Sequence, residues 1–257
     1  MATFDGWDPS QYNRFAAQRE QPFWDLARLV RAVSSPAVVD LGCGDGRLTA
    51  TLGETLGAAA TLGVDSSPAM IDRARSHASE SVRFELGDIG VWEEREAFDV
   101  VFANASMQWV PDHRAVMRRW AGSLRPGGQL AIQVPSNADH PAHLLAEELA
   151  REVLDDPPPD AVARNVLAPE TYAELLDELG FHEQHVRLQV YVHRLSSSVD
   201  VVEWMKGTSL TRFKEPLGDV GWEHFVSVYR ERLISRLGDR RPYLYPFKRI
   251  LMWAQRS

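Results

Sequence analysis

The chain has 257 residues, of which 44% are hydrophobic and 25% charged, and its formal net charge at pH 7 is −8. This length suits one large domain, and the composition is that of an ordinary globular protein. The negative charge argues against general nucleic-acid binding, and no apolar run reaches the roughly 18 residues that a membrane span needs. A lone cysteine and the lack of a visible secretory signal predict a cytoplasmic protein without an internal disulfide.

Strand and helix patterns alternate through the first half of the chain. Helices are predicted at about 10–32, from the glycine loop to 56, at 68–77 and at 113–124, and the sequence RPGG at 125–128 is expected to end the last of these. Strands are predicted at 37–41, 61–65, 82–86, 98–103 and 129–134. Right-handed crossovers between such units predict an α/β fold with a doubly wound, mostly parallel sheet and helices on both faces.

The pattern changes after residue 135. Helices are predicted at 141–154, 169–179 and 199–237, and strands at 185–193 and 247–254. The two late strands are expected to pair antiparallel at the sheet edge, with the helical insert between them covering the strand ends. We therefore expect a single domain over 1–257, built from an N-terminal helical lid at 1–35, a cofactor-binding core at 36–135 and a substrate-side elaboration with a helical cover at 136–257.

The clearest functional signal is the sequence VVDLGCGDG at 38–46, in which an apolar strand runs into a glycine loop at 42–46. Its glycines let the backbone turn sharply and approach a ligand closely. Asp40 precedes the loop, Asp65 ends the next apolar run, and Asp88 follows the third strand. Because one carboxylate accepts both hydroxyls of a ribose diol, this pattern predicts a nucleoside-bearing cofactor at the carboxyl ends of the strands. The structural alternatives are a solvent-exposed strand end for Asp65 and a turn-forming aspartate for Asp88.

Five segments in this order resemble the motifs of the class I S-adenosylmethionine-dependent methyltransferases, which have a Rossmann-like fold. They read DLGCGDG, GVDSS, GDI, FDVVFANASMQWV and LRPGGQLAIQVP, and they cover roughly residues 36–135. The resemblance implies S-adenosylmethionine as the cofactor and S-adenosylhomocysteine as its product. The implied cofactor-binding residues are Asp40, Gly42, Gly44, Asp65, Ser66, Asp88, Ile89 and Asn104, with Arg19 of the N-terminal helix as a further candidate.

A narrower resemblance, to the trans-aconitate 2-methyltransferases, spans nearly the full length. It is carried by WDPSQY near the start, by MQWVPDH after the fourth strand, and by the late segments EWMKGTSL and YPFKR. It implies a small polycarboxylic acid, one carboxylate of which attacks the methyl group to give a methyl ester. A carboxylate is already ionised near neutral pH, so we expect no catalytic base or nucleophile, and transfer driven by orientation and desolvation. Candidate substrate residues are Trp7, Tyr12, Gln108, Trp109, Lys206, Thr208, Tyr243, Tyr245 and Arg249.

Other interpretations stay open on the sequence alone. They are methyl transfer to oxygen or nitrogen of a different small molecule, a nicotinamide-dependent oxidoreductase, and a non-catalytic module that binds the cofactor. The substrate candidates also have structural alternatives, which are packing for the tryptophans, helix capping for Lys206 and a solvent-facing strand position for Arg249. No metal is expected, because the histidine pairs at 140 and 143 and at 182 and 185 lack further ligands. The oligomeric state is not predicted.

Overall fold

The computed structural model describes residues 16–256, with side chains from Glu20 onward. Short 3₁₀ helices lie at Arg75–His77, Met107–Trp109 and Thr211–Phe213. The helices are α1 (Ala16–Ala27), α2 (Arg47–Leu56), α3 (Pro68–Ala74), α4 (His113–Gly122), α5 (Pro141–Val153), α6 (Ala161–Asn165), α7 (Pro169–Glu178), α8 (Val199–Lys206) and α9 (Lys214–Leu237). The strands are β1 (Ala37–Leu41), β2 (Ala60–Asp65), β3 (Val82–Leu86), β4 (Phe98–Asn104), β5 (Leu124–Pro135), β6 (Glu183–Leu195) and β7 (Tyr243–Gln255).

These strands form one seven-stranded sheet in the order β3-β2-β1-β4-β5-β7-β6. The neighbours among β1 to β5 pair in parallel, and β7 pairs antiparallel with β5. Strands β1, β2 and β4 are almost wholly buried, as expected where helices cover both faces of a parallel sheet. The predicted mostly parallel sheet with antiparallel pairing at one edge is confirmed.

The segment that follows α4 differs from its prediction. The helix ends at Gly122, and β5 begins at Leu124, so the RPGG sequence lies inside a 12-residue strand instead of a loop. The pairing of β5 with β4 shifts register between Phe98 and Val100, and Gly127 has a φ of +75°. Such an irregularity lets a strand include a glycine with a left-handed backbone, so the breaker residues bend the strand without ending it.

The second half of the chain also contains differences in detail. Strand β7 begins at Tyr243, four residues before the predicted start, and helix α6 was not predicted. The predicted helical stretch 199–237 divides into α8, a 3₁₀ turn and α9, and Gly218 has non-helical φ and ψ inside α9. Gly218 interrupts the helix with a φ of +63°, which a glycine adopts without steric cost.

The chain divides into two compact units, each with its own apolar core. We call the first the sheet unit, and its core includes Leu41, Val101, Trp120 and Ile132. We call the second the helical unit, and its core includes residues of α5, α8 and α9. The expectation of a single domain with internal boundaries at 35 and 135 stays a prediction. Among described residues, the sheet unit comprises Glu20–Pro135, Asn165–Gln189 and 249–256, and the helical unit Ser136–Arg164 and Val190–Lys248.

Within residues 16–256, no helix combines the length and the apolar character needed to cross a membrane.

A cluster of charged side chains is buried in the helical unit. Arg212 lies within 3.4 Å of Asp160 and also pairs with Glu147, while His143 Nδ1 lies 3.3 Å from the Asp160 carboxylate. Burial alone would raise the pKa of Asp160, but the hydrogen bond and charge of His143, together with Arg212, lower this pKa to about 2. The ionised form of Asp160 therefore stabilises this unit.

We expect Asp160→Asn to destabilise the protein at neutral pH and to change its response to acid. The folded-state pKa lies below the unfolded value of about 3.9, so Asp160 contributes about 2 kcal/mol above pH 4, and this contribution is lost between about pH 4 and pH 2. Denaturant unfolding of the wild type and of Asp160→Asn at pH 7 and pH 3 measures the difference in their free energies of unfolding. Asp156→Asn, at an exposed position, is the control. An equal free-energy difference at the two pH values would contradict the assignment.

Candidate functional site

The glycine loop is fixed between the end of β2 and the turn that follows β4. The backbone N–H groups of Gly42 and Cys43 both donate to the Val64 carbonyl, at 2.7 and 3.0 Å. Gly42 has a φ of +87°, and a Cβ at this position would lie 2.2 Å from the Ser106 Cβ. The Ser106 hydroxyl donates to the Leu41 carbonyl at 2.6 Å. Only glycine therefore fits position 42, and Ser106, which supports the loop, was not singled out from the sequence.

Asp65, at the carboxyl end of β2, joins the glycine loop to the start of α3. Its Oδ2 accepts the Gly44 N–H and its Oδ1 accepts the Ser67 N–H, both at 2.9 Å. The side chain is half-buried, so the alternative of a solvent-exposed strand end is wrong. Each carboxylate oxygen can accept a further hydrogen bond. Gly44 has open space where a Cβ would be, and Ser66 is exposed, so a ligand has access to this side of the carboxylate.

Asp40 is a buried carboxyl group immediately before the glycine loop. Only 3% of the residue is exposed, and the Thr49 hydroxyl donates to its Oδ2 at 2.5 Å. Burial raises the pKa of Asp40 to about 7, opposed by the Thr49 hydrogen bond and assisted by the nearby charge of Asp65. Near neutral pH this group therefore changes its charge readily when a cation binds beside it. Thr49, a buried polar residue of α2, was not singled out from the sequence.

The segment after β3 combines an exposed carboxylate with a buried apolar side chain. Asp88 is exposed, and its Oδ1 accepts the Gly90 N–H at 2.8 Å, so it forms the turn that the structural alternative predicted. This bond leaves the other carboxylate oxygen for a ligand contact. Ile89 is 8% exposed, and its carbonyl accepts the indole N–H of Trp120 at 3.1 Å. The fixed backbone of Ile89 determines where the Asp88 carboxylate stands.

Polar side chains also lie at the carboxyl ends of β4 and β5 and on the part of β7 that pairs with the end of β5. Asn104 closes β4, and its buried Oδ1 has no hydrogen-bond partner among residues 20–256. Arg249, in β7, is 6% exposed and donates from Nη1 to the Oε1 of Gln133 at 3.0 Å. The solvent-facing alternative for Arg249 is therefore wrong. Gln133, a fully buried polar residue inside an apolar strand, was not singled out from the sequence.

Gln108 and Trp109 lie in the 3₁₀ turn that follows β4. Gln108 is 4% exposed, and its Nε2 donates to the Ala105 carbonyl at 2.7 Å. The backbone carbonyl of Gln108 accepts from the Asn165 side chain at 3.0 Å. Trp109 is 59% exposed, so packing in a core is the wrong interpretation for this residue. The turn thus holds one amide inside the sheet unit and presents one indole at its surface.

The same turn is supported by a buried pair of side chains. His113 Nε2 lies 2.9 Å from the Met107 carbonyl, and His113 Nδ1 lies 2.6 Å from the Tyr172 hydroxyl. A carbonyl only accepts, so Nε2 carries the proton and the Tyr172 hydroxyl donates to Nδ1. Burial lowers the pKa of His113, which keeps the ring neutral and this arrangement intact.

The remaining described substrate candidates belong to the helical unit. Tyr245 is fully buried and its hydroxyl accepts from Asn137 at 3.2 Å, while the Tyr243 hydroxyl lies 3.4 Å from His140 Nε2. The ring of Trp204 lies 5.6 Å from that of Tyr245, centroid to centroid. The two tyrosines therefore belong to one aromatic cluster, formed by His140, His193, Trp204, Tyr243, Tyr245 and Phe247.

Lys206 and Thr208 lie at the end of α8 in the same unit. The Lys206 ammonium is 3.5 Å from the Glu203 carboxylate, and the Thr208 hydroxyl donates to the Trp204 carbonyl at 2.9 Å. Both side chains are half-buried and take part in the local structure of the helix end. Their contact with a substrate stays a prediction.

Three of the predicted binding residues have no described side chain. Trp7 and Tyr12 lie outside the described residues, and Arg19 lies within the α1 backbone but has no described side chain. Among the side chains that are described, no group of three or more metal-ligating residues is close enough to hold an ion. The histidines at 140 and 143, close in sequence, have different neighbours, because one contacts Tyr243 and the other Asp160.

Known proteins resemble this chain in sequence and in fold. A family model described as a methyltransferase domain matches residues 38–128. The YcgJ protein of Bacillus subtilis has a similar fold, with a TM-score of 0.64 at 16% identity over 93% of this chain and 99% of that chain. A geranyl diphosphate methyltransferase in complex with SAM gives a TM-score of 0.57 at 16% identity over 93% of this chain and 85% of that one. At these identities the likeness concerns the fold.

Curated relatives are much closer in sequence. The trans-aconitate 2-methyltransferase of Deinococcus radiodurans is 39% identical over 97% of this chain and 98% of the relative. The enzyme of Rhodococcus jostii is 39% identical over 97% of this chain and 99% of the relative. The enzyme of Streptomyces avermitilis is 36% identical over 100% of this chain and 99% of the relative. Identity at this level over both full lengths shows common descent of the whole chain. The chain belongs to the trans-aconitate 2-methyltransferase family.

Proposed function

We propose that this protein transfers the methyl group of S-adenosylmethionine to a carboxylate of trans-aconitate, giving a monomethyl ester and S-adenosylhomocysteine. The observation that carries the proposal is the 39% identity, over nearly the full length, to two curated trans-aconitate 2-methyltransferases. The polar residues at the carboxyl ends of the strands support it. A cytoplasmic location is part of the proposal and is supported by the lone, buried cysteine.

The residues of the sheet unit fit an adenosine-bearing cofactor. Asp65 is held by two backbone N–H groups and keeps acceptor capacity for the two ribose hydroxyls. Open space beside Gly44 leaves room for the ligand. Asp88 and Ile89 offer a carboxylate and an apolar surface of the kind that binds an adenine. Asp40 offers a negative charge for the ammonium of the methionine portion.

Bound S-adenosylmethionine supplies an electrophilic methyl group, so the protein has to bind, orient and desolvate the acceptor. The acceptor carboxylate is ionised at neutral pH and needs no base to remove a proton. The groups of the sheet unit with altered pKa values suit this interpretation, because both ring nitrogens of His113 are engaged by Met107 and Tyr172 and Asp40 is enclosed. Orientation and exclusion of water supply the acceleration.

The remaining carboxylates of the acceptor require donors. Arg249 is buried at the carboxyl end of the sheet and is the strongest candidate, because a guanidinium binds a carboxylate through two parallel hydrogen bonds. Trp109 is the exposed indole on the turn after β4. Lys206, Thr208, Tyr243 and Tyr245 stay candidates of the helical unit, and Trp7 and Tyr12 stay candidates of the N-terminal segment.

Transfer of a labelled methyl group tests the function directly. Incubation with labelled S-adenosylmethionine and trans-aconitate should place the label in the acid, in a form that mild base releases as methanol, because the product is an ester. The trimethyl ester of trans-aconitate has no free carboxylate and should take up no label. Label that resists base would instead indicate transfer to nitrogen or to an ether oxygen, and no transfer to any small acid would contradict the proposal.

Asp65→Ala is expected to weaken binding of S-adenosylhomocysteine by about 2–4 kcal/mol, because two hydrogen bonds to a charged carboxylate are lost. Calorimetric titration measures the affinity. Asp45→Ala removes an exposed acid from the same loop and should leave the affinity for S-adenosylhomocysteine within a factor of about two of the wild-type value. NAD should not bind the wild-type protein, since tight NAD binding would favour the oxidoreductase alternative. Unchanged affinity in Asp65→Ala would exclude the ribose assignment.

Cofactor binding is expected to release a proton from Asp40. The ammonium group of the ligand favours the carboxylate form of Asp40, so the affinity for S-adenosylhomocysteine should rise about tenfold between pH 5.5 and pH 7, as the pH approaches the Asp40 pKa of about 7. Titrations with S-adenosylhomocysteine in buffers of different ionisation enthalpy count the protons released. Asp40→Asn carries no titratable group and should bind with an affinity that is flat over this range. The same slope in that variant would assign the proton to another group.

A further inference from the structure

We propose that Gln133 holds a carboxylate of the acceptor and orients Arg249 toward it, an inference that rests on the proposed function. Neither the family resemblance nor the sequence pattern assigned a role to this residue. The register of three strands, the hydrogen bonds of the Gln133 amide and two buried polar atoms support this role.

Register places three polar side chains in one row across the sheet. Asn104 in β4 pairs with Gln133 in β5, and Gln133 pairs with Leu251 in β7. Side chains at paired positions project from the same face, and Arg249 lies two residues from Leu251 on its strand, so it shares that face. The 3.0 Å bond between Arg249 and Gln133 agrees with this placement.

The amide of Gln133 has one oriented end and one unsatisfied end. Its Oε1 accepts from the guanidinium of Arg249, and a guanidinium only donates, so the oxygen must point toward Arg249. The Nε2 therefore points away from this bond, and it has no hydrogen-bond partner within the described part of the chain. Gln133 is 0% exposed, so bulk water does not satisfy this N–H group.

A second polar atom without a partner lies at the neighbouring strand position. The Oδ1 of Asn104 is buried and accepts no hydrogen bond from any described residue, although Gln133 with its spare N–H occupies the paired position. Buried polar groups are normally satisfied, and leaving one unsatisfied costs free energy. Two such atoms side by side, at the carboxyl ends of parallel strands, indicate a place built to contact a ligand.

The donors at this place select an anion. Both the Nε2 group of Gln133 and the guanidinium of Arg249 donate, and a planar carboxylate accepts from two such donors at once. An amide at position 133 orients the guanidinium without adding a negative charge. A glutamate at the same position would accept the Arg249 hydrogen bond equally well but would repel an anionic ligand and would lack the N–H donor.

This difference separates a recognition role from a structural one. If the Gln133–Arg249 pair is purely structural, Gln133→Glu preserves its hydrogen bond and leaves acceptor binding unchanged. If Gln133 binds the acceptor, the same variant keeps its fold but loses acceptor affinity. We expect the KM for trans-aconitate in Gln133→Glu to rise about 10- to 100-fold, with the thermal midpoint maintained and the Kd for S-adenosylhomocysteine within twofold of wild type.

Gln255→Glu is the matched control, because it makes the same change in β7, at a glutamine whose Oε1 also accepts from an arginine, Arg31, at 3.4 Å. It lies at the other end of the β5–β7 pairing and should not alter KM. Gln133→Met, which is neutral and similar in shape, removes the donor without adding charge and should raise KM about tenfold. If Gln133→Glu does not fold, this variant decides the question. A KM within threefold of wild type in a folded Gln133 variant would overturn the proposal.

Calorimetric binding of trans-aconitate to the S-adenosylhomocysteine complex keeps this test separate from that of the function. If the wild type binds the acid but does not methylate it, the function fails, and weaker binding in Gln133→Glu still supports the subsite. If the wild type methylates the acid and the variant binds it equally well, the function stands and the subsite fails. If the wild type binds no trans-aconitate, both fail.

Discussion

The geometry of the proposed cofactor site depends on the hydrogen bonds that the Asp65 carboxylate accepts from the backbone. This carboxylate accepts one backbone N–H from the glycine loop and one from Ser67, the N-cap residue of α3, and so joins the ends of β1 and β2. A carboxylate in this position has two functions, because the same oxygens that fix the backbone also have lone pairs available for a ligand. Loss of the charge would therefore affect the shape of the loop as well as the contacts to a bound nucleoside.

Local sequence patterns were sufficient for β1 to β4. The spans of β1 and β3 were predicted to the residue, since β1 is an apolar run between Pro36 and Gly42 and β3 alternates apolar and charged residues up to Gly87. The segment around Gly127 shows where such reasoning fails. Its breaker residues lie in a strand because pairing with β4 tolerates a shift of register, and pairing with a distant strand cannot be read from a local window.

The candidate site was predictable for residues whose role follows from their own position in a motif. Asp65 and Gly42 stand at strand ends where a turn and an acid are diagnostic, and the structure gives each a geometry that agrees with the motif. Thr49, Ser106 and Gln133 were missed because their importance comes from a partner in another element. A buried polar residue within an apolar segment was the available signal, and it becomes specific only once the partner is known.

The contact between Gly42 and Ser106 links two stretches of sequence that are distant along the chain. A side chain at position 42 would overlap the serine Cβ, so no compensating change of rotamer at 106 would make room for it. During divergence of the family, a larger residue can replace Gly42 only after the backbone that follows β4 has moved. Natural variation at these two positions is therefore expected to be correlated, and a designer who grafts new acceptor preferences onto the turn after β4 must keep its backbone path intact.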